Sequence, residues 1–77
     1  MSPTYTKQAE AFLGKQSERY VSRIKKAINS LPDGDIKKLK GYENMYRLRV
    51  GNFRVVFEKD RGEYHIIKID NRGDAYK

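Results

Sequence analysis

The sequence predicts an α+β domain, an N-terminal helical hairpin packed on an antiparallel sheet of three to four strands. Three observations carry that expectation. Up to Leu31 the apolar residues recur at the 3/4 spacing of helices, and from Met45 onward they alternate with polar ones. Between the two regimes, Leu31-Pro32-Asp33-Gly34-Asp35 is the strongest turn signal in the chain. With 77 residues, positions 1–77 form a single domain with one core. A chain this short buries only about 60% of its unfolded surface, so a partner is expected to add to its stability.

The first helix is marked by Ala9, Phe12 and Leu13 and stopped by Gly14. Ser17 is a natural N-cap for the second, whose stripe is Tyr20, Ile24, Ala27, Ile28 and Leu31. Lys7, Lys15, Arg19, Arg23, Lys25 and Lys26 lie between these stripes and read as solvated faces of the hairpin. In Met45–Val50 the residues Tyr46, Leu48 and Val50 share one face and Met45, Arg47 and Arg49 the other. Gly51-Asn52 is a two-residue turn with glycine where a type II′ turn needs it. That turn pairs Val50 with Phe53, Arg49 with Arg54, Leu48 with Val55, Arg47 with Val56 and Tyr46 with Phe57. The core face is then Tyr46, Leu48, Val50, Phe53, Val55 and Phe57. Asp60-Arg61-Gly62 reads as a three-residue hairpin loop with Gly62 left-handed. It returns a third strand, Glu63 to about Asp70, with His65, Ile67 and Ile69 on the core face and Tyr64, Ile66 and Lys68 on the other.

Composition excludes several classes of function. The chain has no cysteine and one histidine, which removes a disulfide framework, a thiolate zinc site and a histidine-rich metal site, so no metal or other cofactor is expected. No apolar run approaches the ~20 residues that span a bilayer, and Met1-Ser2-Pro3-Thr4 has no signal-peptide core, so no membrane partner is expected and the cytoplasm is the expected compartment. Charge is the positive signal: 17 Lys+Arg against 10 Asp+Glu gives +7. Residues 1–36 carry six basic and four acidic side chains, and residues 37–77 carry eleven and six. Such a balance suits a nucleic-acid partner, or simply a well-solvated surface.

The position of the arginines sharpens the choice. Under the register above, Arg47, Arg49, Arg54 and Lys68 converge on one sheet face, with Arg49 directly across from Arg54 at a Cβ separation of about 5 Å. Like charges so placed destabilise a hairpin, which points to an anion, most simply a phosphate, between them. The alternative is that the arginine stems cover apolar surface or pair with Glu58 and Asp70. Arg72 continues the parity of Lys68, and Gly73 lets the chain bend Tyr76 back toward the same face, where it can stack on a base, transfer a proton or simply pack. His65 reads as a structural residue and Glu58 as an ion-pair partner.

Three stretches carry a resemblance: Lys38-Leu39-Lys40-Gly41, then Met45-Tyr46-Arg47-Leu48-Arg49-Val50-Gly51-Asn52-Phe53-Arg54-Val55-Val56-Phe57, and finally Asn71-Arg72-Gly73-Asp74-Ala75-Tyr76. Together they resemble the RelE/ParE toxin superfamily of bacterial type II toxin–antitoxin systems, closer to the RelE type. The resemblance implies a twisted antiparallel sheet on a helical hairpin. It implies either a RelE-type endoribonuclease that cuts mRNA in the ribosomal A site without a metal, or a ParE-type inhibitor of DNA gyrase, or an inactive relative that only binds RNA or antitoxin. Carried over by residue, the RelE-type basic residues fall on Arg47, Arg49, Arg54 and Arg72 and the catalytic tyrosine on Tyr76; Arg49, Arg54, Arg72 and Tyr76 are then the expected catalytic residues and Arg47, Arg49 and Lys68 the expected RNA-binding ones, Lys68 from its place on the basic face. The expected partners are a cognate acidic antitoxin, the ribosome and mRNA. The resemblance departs at three places, one being that many members continue past the tyrosine, often with a further helix, where this sequence reads Tyr76-Lys77. Only Ser2-Pro3-Thr4-Tyr5 precedes the first helix where the family has a complete edge strand, and no histidine lies near the C-terminus to support histidine–glutamate acid/base chemistry.

Overall fold

Two short hydroxyl side chains start the helices. Thr6 and Ser17 hold extended backbones, and their side-chain oxygens accept from the N–H groups of Ala9 and Tyr20. The computed structural model describes residues 3–71. In it the helices are α1 (Lys7–Gly14) and α2 (Glu18–Asn29), with Ser17 capping the second as the sequence predicts. Glu18 in the first turn of α2 and Lys26 in its last both favour the helix dipole. Leu31, expected to close that helix, lies beyond its C-cap Ser30 and still packs against the core.

The sheet has five strands: β1 (Thr4–Tyr5), β2 (Asp35–Lys38), β3 (Met45–Val50), β4 (Phe53–Asp60) and β5 (Glu63–Asn71). Their order is β1-β5-β4-β3-β2. The α+β class and the helical hairpin stand as predicted, but the strand count exceeds three to four and the sheet is mixed. β1 runs parallel to β5, Thr4 opposite His65 and Tyr5 opposite Ile66. Pro3 lies outside that strand, so its missing N–H breaks no ladder bond, and the Thr6 N–H donates to the Ile66 carbonyl at 3.0 Å. β2 escaped the sequence reading because Asp-Ile-Lys-Lys contains one apolar residue, too few to show alternation.

The first hairpin has the predicted register at every pair, from Val50–Phe53 to Tyr46–Phe57. Gly51 takes φ +59 and Asn52 does not, as a type II′ turn requires. The second hairpin differs. Arg61 and Gly62 both have positive φ, +52 and +83, which makes a two-residue type I′ turn in place of the predicted three-residue loop. Asp60 therefore faces Glu63, and Phe57 faces Ile66. A bulge then absorbs one residue, so Val56 faces Lys68 and Val55 faces Ile69. The slip moves Tyr64 and Ile66 to the core face and His65 away from it, while Ile67 is the extra residue. Beyond the bulge Ile69 returns to the core face and Lys68 to the other, as predicted.

Both helices pack on one face of the sheet. Ala9, Leu13, Ile24 and Ile28 meet Leu48, Val50, Phe53, Val55, Phe57, Ile66 and Ile69, and no charged or polar residue is buried among the described residues. Each fully buried aliphatic or aromatic side chain there contributes about 1.5–3 kcal/mol. Phe57 anchors an aromatic group, stacked on Tyr46 at 5.6 Å between centroids and edge-on to Tyr64 at 5.7 Å. No helix among the described residues is long and apolar enough to cross a membrane.

Gly34 ties the turn to this core. Its φ is +127, and a Cβ there would sit 2.9 Å from Leu48 Cδ1. Gly34→Ala is expected to cost about 1–3 kcal/mol, roughly 4–8 °C in melting temperature per kcal/mol. Gly14→Ala, at the end of α1 in open space at ordinary φ, should leave the transition unchanged or raise it by a few °C on the same thermal scan. Equal shifts for the two variants would contradict the packing assigned to Gly34.

Candidate nucleic-acid interface

Because the helices cover one face of the sheet, the residues of opposite parity form the other, and the register arranges them in rows. One row runs across β2, β3, β4 and β5 as Asp35, Arg49, Arg54 and Asp70. The next is Lys37, Arg47, Val56 and Lys68. A third is Met45, Glu58, His65 and Thr4, the last from β1. Among the described residues, the first two rows gather five cations against two carboxylates on a face that neither α1 nor α2 covers. Arg47, Arg49, Arg54 and Lys68 thus share a face as the sequence predicts. Arg72 and Tyr76 lie outside the described residues.

Within the first row the central arginines differ. Arg54 Nε donates to Asp70 Oδ1 at 3.1 Å and Nη2 donates to Oδ2 at 2.8 Å, a bidentate pair. Lys68 Nζ stands 3.8 Å from the same Oδ2. At the other end, the Asp35 carboxylate reaches diagonally to Arg47, whose Nη1 lies 3.6 Å from Oδ1 and donates weakly to the Asp35 carbonyl at 3.5 Å. Arg49 is exposed, and among the described residues no carboxylate lies within ion-pair distance of it. Arg47 is largely covered, its side chain 12% exposed, whereas those of Arg54 and Lys68 are 37% and 55% exposed. Part of the row thus takes the form of the alternative reading, arginine paired with Asp70, and part presents charge to solvent.

Two other expectations change. His65, predicted on the core face, faces the same side as the arginines, opposite Glu58, because of the type I′ turn. Its Nδ1 shares a 2.6 Å hydrogen bond with Thr4 Oγ1, and its Nε2 is 3.8 Å from Glu63. It ties β1 to β5, so its structural reading survives the change of face. Glu58 has no ion-pair partner among the described residues, contrary to expectation. Sequence reasoning missed Asp35 and named Asp70 only as a possible ion-pair partner without its place across from Arg54; the two bracket the arginines. The signal for Asp35 was its place four residues past Leu31 in a strand too short to recognise. The place of Asp70 depends on a bulge with no glycine or proline to mark it.

Chemically, the face offers guanidinium and ammonium donors side by side on an open surface. Such a set binds phosphate oxygens and stabilises negative charge that develops on them.

Comparison with known proteins places this architecture. Residues 4–76 match the family described as ParE toxin of type II toxin–antitoxin system, parDE. Over 50 residues the chain is 62% identical to Toxin RelE3 of Methanocaldococcus jannaschii, a match that takes in 62% of this chain and 57% of that protein. The matched segment therefore spans little more than half the length of that relative. Among solved structures, the RelB-RelE antitoxin-toxin complex from Methanococcus jannaschii contains a chain that superposes with a TM-score of 0.78 at 29% identity, covering 95% of this chain and 94% of that one. The archaeal RelE-RelB complex from Pyrococcus horikoshii OT3 shares the fold, with a TM-score of 0.76 at 22% identity and coverage of 92% and 93%. A helical hairpin on a five-stranded sheet, an arginine-bearing open face and a family match across nearly the whole chain agree: the chain belongs to the ParE toxin family of type II toxin–antitoxin systems, within the RelE/ParE superfamily.

Proposed function

We propose that this chain is the toxin of a type II toxin–antitoxin pair and that it stops translation in the cytoplasm as a ribosome-dependent mRNA endoribonuclease. The observation that carries this reading is the Arg49–Arg54 pair at the centre of an uncovered basic face. High identity to a protein named Toxin RelE3 supports the RelE type. In the proposed reaction the mRNA supplies its own nucleophile. The 2′-oxygen beside the scissile phosphate attacks phosphorus, the bond to the 5′-oxygen breaks, and the products are a 2′,3′-cyclic phosphate and a 5′-hydroxyl. The proton leaving the 2′-hydroxyl is balanced by one delivered to the departing 5′-oxygen. No metal is needed in this scheme. Arg54, with Arg72, clamps the phosphate, and Arg49 and Arg47 stabilise the charge of the phosphorane and hold the backbone beside Lys68. Tyr76 stacks on a base or moves a proton. An arginine stays protonated, so these residues stabilise charge and do not act as the base. The ribosome supplies geometry by fixing the mRNA in a bent, reactive conformation.

A second reading is favoured by the ParE description of the matching family: inhibition of DNA gyrase without nuclease chemistry. The two separate cleanly. With purified ribosomes and a defined mRNA, wild-type protein should produce discrete cuts mapped by primer extension, and Arg54→Ala should slow them about 10²–10³-fold. That variant should stay folded. Removing Arg54 strips Asp70 of its bidentate partner but relieves repulsion from Arg49, two partly exposed effects of about 1 kcal/mol or less each. Inhibition of supercoiling with no mRNA cleavage would replace the first reading with the second.

The proposed partner is a cognate acidic antitoxin. The relatives solved as RelB-RelE complexes support it, as do the +7 charge and the small core of this chain. The antitoxin would bury part of the basic face and extend the apolar cover. Binding the native state alone should raise the melting temperature progressively with antitoxin concentration. A neighbouring gene product that leaves it unchanged in excess is not the partner.

A further inference from the structure

We propose that Asp70 is a positioning residue for Arg54, fixing the plane of its guanidinium before any phosphate arrives. The inference rests on the RNA-cleaving function proposed above and adds a residue that the reading from sequence used only as a potential ion-pair partner.

The geometry comes from the bulge in β5. Up to Phe57–Ile66 the strands keep one register, and if it continued, Ile69 would face Arg54 on the open side while Asp70 would point into the core. The extra residue at the bulge reverses both. Ile69 is fully buried opposite Val55, and Asp70 stands directly across from Arg54. One irregularity therefore completes the core and delivers a carboxylate to the arginine row.

That carboxylate engages Arg54 along the Nε–Nη2 edge, at 3.1 and 2.8 Å. Two parallel hydrogen bonds to one rigid acceptor fix a planar group in orientation as well as in place, which a single contact does not. Lys68, at 3.8 Å from the same oxygen, is a looser neighbour and leaves the pair intact. Arg49 receives no such restraint among the described residues, since Asp35 reaches Arg47 instead. The two arginines that face each other are thus unequal, one aligned in advance by Asp70 and one able to follow the phosphate. Stabilisation of a transition state depends on donors already aimed at the developing charge, so the aligned member is the one whose orientation sets the rate.

Asp70→Asn separates this role from plain structural support. The variant keeps the size and shape of the side chain, but whichever way the amide is turned, one of its two atoms donates where Arg54 also donates. Single-turnover cleavage on programmed ribosomes should slow about 10–100-fold at saturating ribosome, while affinity for the ribosome holds or tightens up to several-fold because a negative charge is gone. Asp70→Glu, which retains the carboxylate on a longer stem, should recover part of the rate. In ¹H–¹⁵N spectra of the free protein, the Arg54 Nε–H resonance should be protected from exchange in wild type and lose that protection in Asp70→Asn. Unchanged cleavage in Asp70→Asn would overturn the proposal, and faster cleavage would show that Asp70 masks Arg54 instead of aligning it. Parallel loss of binding, rate and melting temperature in both variants would reduce Asp70 to a structural residue. If wild-type protein does not cleave, the function reading fails, and the Nε–H resonance still decides the alignment: an unprotected signal in wild type overturns it.

Discussion

Gly51 holds φ +59 at the first central position of a two-residue turn, and from that turn every cross-strand pair of β3 and β4 is counted. A side chain there would resist the left-handed backbone, and a three-residue loop would shift the pairing by one residue and exchange the faces of one strand relative to the other. The same count that puts Leu48 against Val55 in the core puts Arg49 against Arg54 outside it. Apolar packing of the inner face therefore enforces a like-charge pair on the outer one. Across a solvated sheet face two such charges repel by about 1 kcal/mol or less, a small sum beside the burial of the eleven core residues described. The core wins, and the like-charge pair remains on the outer face, where the proposed phosphate would relieve it.

Asp35 and Asp70 temper that repulsion without removing it. They sit at the two ends of the arginine row, but only Asp70 binds its neighbour within the row. The result is a face that keeps an excess of positive charge with some of its side chains already ordered. Both α1 and α2 lie on the other side, so among the described residues this face stays uncovered. Placing both helices on the inner face and leaving the arginines accessible on the outer one are, among the described residues, one fact seen from two sides.

Much of this was legible in the sequence, and what escaped did so for identifiable reasons. The start of the second helix was readable because Ser17 precedes an apolar stripe, and the first hairpin because Gly51-Asn52 admits few turns. The common face of Arg47, Arg49, Arg54 and Lys68 followed from strict alternation. β1 and β2 were missed because two to four residues hold too little periodicity, and their pairing is set by tertiary contacts. The second hairpin was misjudged because Asp60-Arg61-Gly62 fits a three-residue loop as well as a two-residue one, and Arg61 accepts a positive φ that its type seldom adopts. The error then propagated to His65, Tyr64 and Ile66, until the bulge cancelled it at Lys68 and Ile69. Asp70 could not be placed across from Arg54 without knowing both irregularities. The family resemblance supplied Arg72 and Tyr76, which alternation alone could place only loosely.

The central claim is that the row through Arg49 and Arg54 receives the scissile phosphate. Its most direct test is a cryo-EM structure of the protein on a ribosome programmed with mRNA carrying a 2′-O-methyl group at the cleavage site, which blocks the nucleophile and holds the complex. The account predicts the phosphate within hydrogen-bond distance of the Arg49 and Arg54 guanidinium groups, with Asp70 still paired to Arg54. A complex in which this face points to solvent, or contacts only ribosomal protein while the phosphate lies elsewhere, would contradict it.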